Sequence, residues 1–156
     1  MSLAPEKILA KDAPGSSPPV RDPGQQRTCS VTVVFTTAFA TIAALRRAGA
    51  YASILFPQVT LIVPQIVPYW LPLERPPVLM EFNERRFAEI AEECPVETVV
   101  RIYLCRDRFT TLNAILSPRS LVIIGGRKRR WWPSAESLLG RRLRRLGHEV
   151  ILIEPE

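Results

Sequence analysis

SLVIIGGRKRRWWPSAESLLGRRLRRLGHEVILI, Ser120 to Ile153, holds a strand, a loop, a helix and a second strand in that order. SLVII (Ser120–Ile124) is the short apolar run expected of a strand buried on both faces of a parallel sheet. The segment Ser134–Leu146 carries leucines at Leu138, Leu139, Leu143 and Leu146 with arginines between them, an amphipathic helix that Gly147 ends. HEVILI (His148–Ile153) is again strand-like. A strand, a crossover helix and a second strand within so few residues specify a parallel pair.

The same alternation extends towards the N-terminus. Ser30–Thr36 (SVTVVFT) and Gln58–Val63 (QVTLIV) read as strands on either side of an alanine-rich helix, Ala38–Leu55. Pro64, which has no backbone donor, is expected to end the second strand's ladder. A stretch with five prolines between Pro64 and Pro77 follows, too long for an ordinary strand-to-helix turn, so it should wall a cleft or reach a neighbour. Glu81–Glu93 is an amphipathic helix with Phe82, Phe87, Ile90 and Ala91 on its apolar side. Val96–Cys105 is a third strand, and Arg106–Leu116 a short helix that stops before Ser117-Pro118. The expected fold is therefore α/β: a doubly wound, five-stranded parallel sheet with helices on both faces, Rossmann-like in plan. Ligands of such sheets bind beyond the strand C-termini, near the reversal of strand order. Here those ends are Thr36-Thr37, Val63-Pro64, Arg106-Asp107 and Gly125-Gly126.

Residues 29–156 form this one domain. Residues 1–28 hold five of the fifteen prolines and few large apolar side chains, and read as a disordered tail. The hydrophobic content, 47%, suffices for a core. The three cysteines follow no metal-binding or disulfide spacing. With no signal-like start and no uninterrupted apolar run of membrane-spanning length, the expected setting is the cytoplasm, without membrane contact.

The net charge is +6, and Arg127–Arg145 alone carries eight cations against one anion, Glu136. That concentration implies an anionic partner: a small anionic ligand, or nucleic acid with Trp131 and Trp132 stacking on bases. Ser134 is the expected N-cap of the last helix. No GxSxG, Walker, HExxH or paired-carboxylate pattern occurs, so a non-enzymatic role is expected. His148 reads as a strand-edge residue and Asp107 as a first-turn acid.

The run from Ser120 to the C-terminus, with its VIIGGR turn, resembles the universal stress protein family in element order and spacing. The resemblance covers about 125 residues, Ser30 to Glu154. It implies an adenine-nucleotide-binding domain, with ATP or a related nucleotide as ligand where one is bound, and a homodimer formed through the last strand. The family includes members that do not bind ATP. Thr36-Thr37 occupies the place of the family's aspartate after the first strand, and Val63 that of the residue facing the adenine. Gly125 matches the first glycine of the phosphate loop. Lys128 stands at the second glycine, and Pro133-Ser134 replaces the family's Gly-Ser in a shorter loop. Lysine accepts a positive φ poorly and proline removes an amide. An amide-bearing helix start at Ser134, beside Gly126, Arg127 and Lys128, still favours an anion. The functions implied are ligand sensing or protein interaction in a stress response, then nucleotide or anion binding at residues 125–137, then nucleic-acid binding through residues 127–145.

Overall fold

A computed structural model describes residues 7–9, 31–55, 58–127 and 131–155. Five parallel strands and four helices alternate: β2 (Val31–Val34), α1 (Ala38–Leu55), β3 (Val59–Ile66), α2 (Met80–Glu92), β4 (Thr98–Cys105), α3 (Arg108–Ile115), β5 (Leu121–Gly125), α4 (Ala135–Arg145) and β6 (Glu149–Ile153). A short strand, β1 (Lys7–Leu9), precedes them and pairs antiparallel with β4, giving the sheet order β1-β4-β3-β2-β5-β6. The parallel part is the expected doubly wound α/β sheet. The difference lies at Lys7–Leu9: three residues inside the stretch read as a disordered tail add a sixth strand. The remaining tail residues lie outside the described residues.

All four residues of β2 are buried, because helices cover both faces of the central strand. Val31 and Val33 face α1 and α2 and join Ala44, Leu45, Leu61, Phe87 and Ile90 in one core. Val34 faces α3 and α4 and joins Leu112, Ile124, Leu139 and Leu143 in the other. Truncating one of the fully buried leucines, such as Leu143, removes about 2–5 kcal/mol of stability.

Two expectations are corrected. Pro64 does not end β3, which pairs with β4 as far as Ile66. The Ile62 carbonyl accepts from the Phe35 amide of the β2 side, whereas the Val59 and Val67 amides donate to Glu97 and Cys105 on the β4 side. Even-numbered residues of β3 thus turn their backbone groups to β2, whose pairing stops at Val34 opposite Ile62. The donor that Pro64 lacks falls beyond that stop, so the ladder loses nothing. On α2, Phe82 is 62% exposed rather than on the apolar side. Its place is taken by Asn83, which is buried with Phe87, Ile90 and Ala91 and donates from Nδ2 to Gln65 Oε1 at 2.9 Å.

The proline-rich segment is held from the end of β4. Arg106 donates from Nη1 to the carbonyls of Val67 (2.9 Å) and Pro68, and from Nη2 to that of Leu71 (2.8 Å). Its guanidinium also lies 5.3 Å from the centroid of the Tyr69 ring. No helix among the described residues is long and apolar enough to cross a membrane.

Candidate functional site

The parallel strands run in the order β4-β3-β2-β5-β6, so chain direction across the sheet reverses between β2 and β5. From β2 the chain turns into α1 on one face; from β5 it turns into α4 on the other. The two departures leave a crevice at the strand ends, the position where doubly wound sheets hold ligands. A cleft of about 390 Å³ occupies it, lined by Thr36, Thr37, Gly125, Gly126, Arg127 and Ser134, with Phe39, Ala40, Glu136 and Pro155 completing the wall.

Hydrogen bonds across the crevice fix its floor. Thr37 caps α1: its Oγ1 accepts from the Ala40 amide at 3.3 Å and its carbonyl from the Thr41 amide at 2.9 Å. The buried Thr41 Oγ1 accepts from the Thr36 amide at 3.2 Å. Thr36 Oγ1 in turn donates to the Gly125 carbonyl at 2.7 Å, joining the end of β2 to the end of β5. With its proton so committed, that hydroxyl turns only acceptor capacity to the cleft.

The two glycines are explained by packing. A Cβ on Gly125 would stand 2.0 Å from the Ala40 carbonyl oxygen, so only glycine lets α1 start this close to β5. A Cβ on Gly126 would stand 2.8 Å from Cβ and Cγ of Glu136. Glycine at 126 therefore leaves room for the stem of Glu136. Ser134 caps α4 as expected, its Oγ accepting from the Ser137 amide at 3.1 Å. Glu136 in the first turn completes the complement to the helix dipole from within the protein.

Six of the eight residues singled out from sequence thus share one cleft. Val63 does not: it is buried in the core formed with α1 and α2, because odd-numbered residues of β3 turn to β4 and that face. Lys128 lies outside the described residues. Sequence reasoning missed Glu136 as a cleft residue. Its position, two after the N-cap and opposite a glycine, was the available signal. Arg127 and Glu136 give the cleft one cation and one carboxylate, suited to a small polar molecule with both an acceptor and a donor.

The other singled-out groups stand outside the cleft. Asp107 caps α3, accepting from the Thr110 amide (2.7 Å) and hydroxyl (2.6 Å), and these bonds hold its carboxyl below the usual range. Burial pushes the Cys105 thiol up. His148 is buried just before β6, and its Nδ1 accepts from the Ser120 amide at 3.2 Å. Trp131 and Trp132 are 84% and 77% exposed. On α4, Arg141, Arg142 and Arg145 are exposed, and Arg142 stacks 3.6 Å from the centroid of the Phe109 ring. Among the described residues no group of three or more His, Cys, Asp or Glu side chains is placed to hold a metal ion. No protein-family model and no curated protein matches this chain.

Proposed function

We propose that this chain is a non-enzymatic, universal-stress-protein-like module of the cytoplasm that senses a small ligand in the crevice between β2 and β5 and pairs with a second copy through β6. The observation that carries the reading is the convergence of Thr36, Thr37, Gly125, Gly126, Arg127 and Ser134 on one cleft at the reversal of strand order. Its volume, about 390 Å³, is within the range of small-molecule sites. Support for self-pairing comes from β6, an edge strand with half-buried Ile151, Leu152 and Ile153.

The test is direct. The purified protein is denatured and its supernatant examined by absorbance and mass spectrometry for a nucleotide or other small molecule. Thermal shifts with ATP, AMP and adenosine then rank the chemistry. Glu136 opposes extra phosphates, so adenosine or AMP should stabilise more than ATP. A flat response to all three, with nothing co-purifying, removes an adenine nucleotide from the reading.

A second reading, nucleic-acid binding, is favoured by one observation: two exposed tryptophans precede a helix whose Arg141, Arg142 and Arg145 are exposed. It requires binding of single strands that weakens steeply with salt and falls when Arg141 and Arg145 are reversed in charge.

A further inference from the structure

The crevice between β2 and β5 is lined by two opposite charges that stay apart. Arg127 and Glu136 belong to its wall, and among the described residues neither side chain makes a hydrogen bond or an ion pair, with the other or with a third group. A ligand that covers both strips them of water, which costs free energy unless each meets its opposite. The hydroxyls beside them are sorted into an acceptor and a donor. Thr36 Oγ1 has given its proton to the Gly125 carbonyl and can only accept, whereas Thr37 Oγ1 accepts from the Ala40 amide and keeps its proton to donate. The two acceptors share the Gly125-Gly126 turn: Thr36 is bonded to Gly125, and the Glu136 stem packs against Gly126. Ala40, Pro155 and Phe39 make an apolar part of the wall, and Phe39 is 61% exposed although it borders the cleft.

The geometry points to a small zwitterion as the ligand: an α-amino acid with a large apolar side chain. Its ammonium lies beside the Gly125-Gly126 turn and donates to Thr36 Oγ1 and the Glu136 carboxylate. Its carboxylate accepts from Arg127 and from the Thr37 hydroxyl, and its side chain lies against Phe39. This rests on the reading above that the crevice holds a small ligand, and it names that ligand's class. The cleft, about 390 Å³, has room for such a side chain beyond the charged head. Other classes leave a charge unmet. A polyphosphate sets its negative oxygens against the two acceptors at the turn, a polyamine leaves Arg127 without a partner, and a neutral sugar covers both charges with no counter-charge.

The full-length chain is titrated calorimetrically with L-phenylalanine, with phenethylamine, which lacks the carboxylate, and with 3-phenylpropionate, which lacks the ammonium. Adenosine is the uncharged comparison. L-Phenylalanine should bind about tenfold or more tightly than either truncated analogue, since a hydrogen bond to a charged group contributes roughly that factor. Glu136→Gln should abolish its advantage over 3-phenylpropionate, and Arg127→Gln its advantage over phenethylamine. Neither side chain holds another described part of the protein, so both variants should stay folded, which circular dichroism checks. If L-phenylalanine and its analogues bind alike, or if adenosine binds and L-phenylalanine does not, the zwitterion is overturned while the crevice stands as a ligand site. An affinity for L-phenylalanine that neither substitution changes also overturns it, because the amino acid then binds elsewhere. If none of the four compounds binds at millimolar concentration, the zwitterion fails. A small molecule released on denaturation then preserves the crevice reading, and its absence removes that as well.

Discussion

The two edges of the sheet are closed in opposite ways. On one side, β4 is eight residues long and its outer edge receives β1 in antiparallel register, Lys7 opposite Ile102 and Leu9 opposite Val100. Arg106, just past the end of β4, ties down three carbonyls of the segment that follows β3, on the inner side of β4. On the other side, β6 is five residues long and, among the described residues, is met at the Val150 carbonyl by Arg144. An edge covered by backbone has become part of the sheet; an edge met by a side chain stays open to strand pairing. The contrast predicts that damage beside β4 costs more stability than damage beside β6.

The largest effect on the β4 side is expected from Arg106→Ala. Three backbone carbonyls lose a charged donor and Tyr69 loses its cation, so thermal or urea denaturation should show a loss of about 2–3 kcal/mol. Arg106→Lys should recover only part, because an ammonium lacks the planar fork that spans carbonyls of Val67, Pro68 and Leu71. A change below about 0.5 kcal/mol would mean that the segment is held by other contacts.

Deleting residues 1–9 should cost less, about 1–2 kcal/mol, the scale of a few ladder hydrogen bonds. It also uncovers β4, so association should rise in the deleted protein. Unchanged stability and unchanged association together would show that β1 contributes nothing to closing that edge.

How much of this was legible in the sequence follows from the range of the interactions involved. Strand and helix alternation is written locally in VTVV, LVIIG and the leucine spacing of α4, and it sufficed for the parallel sheet and for the place of the crevice. The cap at Ser134 was likewise readable, whereas Asp107, expected as a first-turn acid, is the N-cap because α3 starts only at Arg108. What was not readable depends on which way a backbone group points once strands are paired. Pro64 is harmless only because its missing donor faces past the end of β2, and Arg144 reaches the Val150 carbonyl because the bonds to the β5 side leave from Glu149 and Ile153. The meaning of Gly125 and Gly126 also widened: the pair suits a phosphate loop by composition, and each glycine is in addition required by close packing, against the Ala40 carbonyl and the Glu136 stem. Asn83, a polar residue at the head of an apolar stripe, displaced Phe82 because Gln65 supplies its partner from β3.

On the β6 side, α3 and α4 are joined by Arg142, whose guanidinium lies over Phe109 of α3. Arg142→Ala should cost about 1 kcal/mol or less, as expected for a cation over an aromatic ring near solvent. A loss as large as that of Arg106→Ala in the same denaturation experiment would mean that the two sides of the sheet do not differ in stability, which breaks the contrast.

The smallest effect separates the two helix caps on this face. Asp107 caps α3 with a charge and Ser134 caps α4 without one. The Thr110 hydroxyl and amide hold the Asp107 carboxyl below its ordinary value, with Arg142 adding to the lowering and desolvation opposing it. A carboxyl depressed in the folded state contributes stability that is fully present above the unfolded value, about 3.9. That contribution is lost as pH falls through the folded value. Thermal melts of the protein and of Asp107→Asn should therefore differ most near neutral pH and converge in acid. Ser134→Ala should cost about 1 kcal/mol at every pH, because a hydroxyl cap does not titrate in this range. An Asp107→Asn difference that persists unchanged into strong acid would mean that the charge is not what Asp107 adds to the cap. Arg142 would then serve α3 only through its stacking on Phe109.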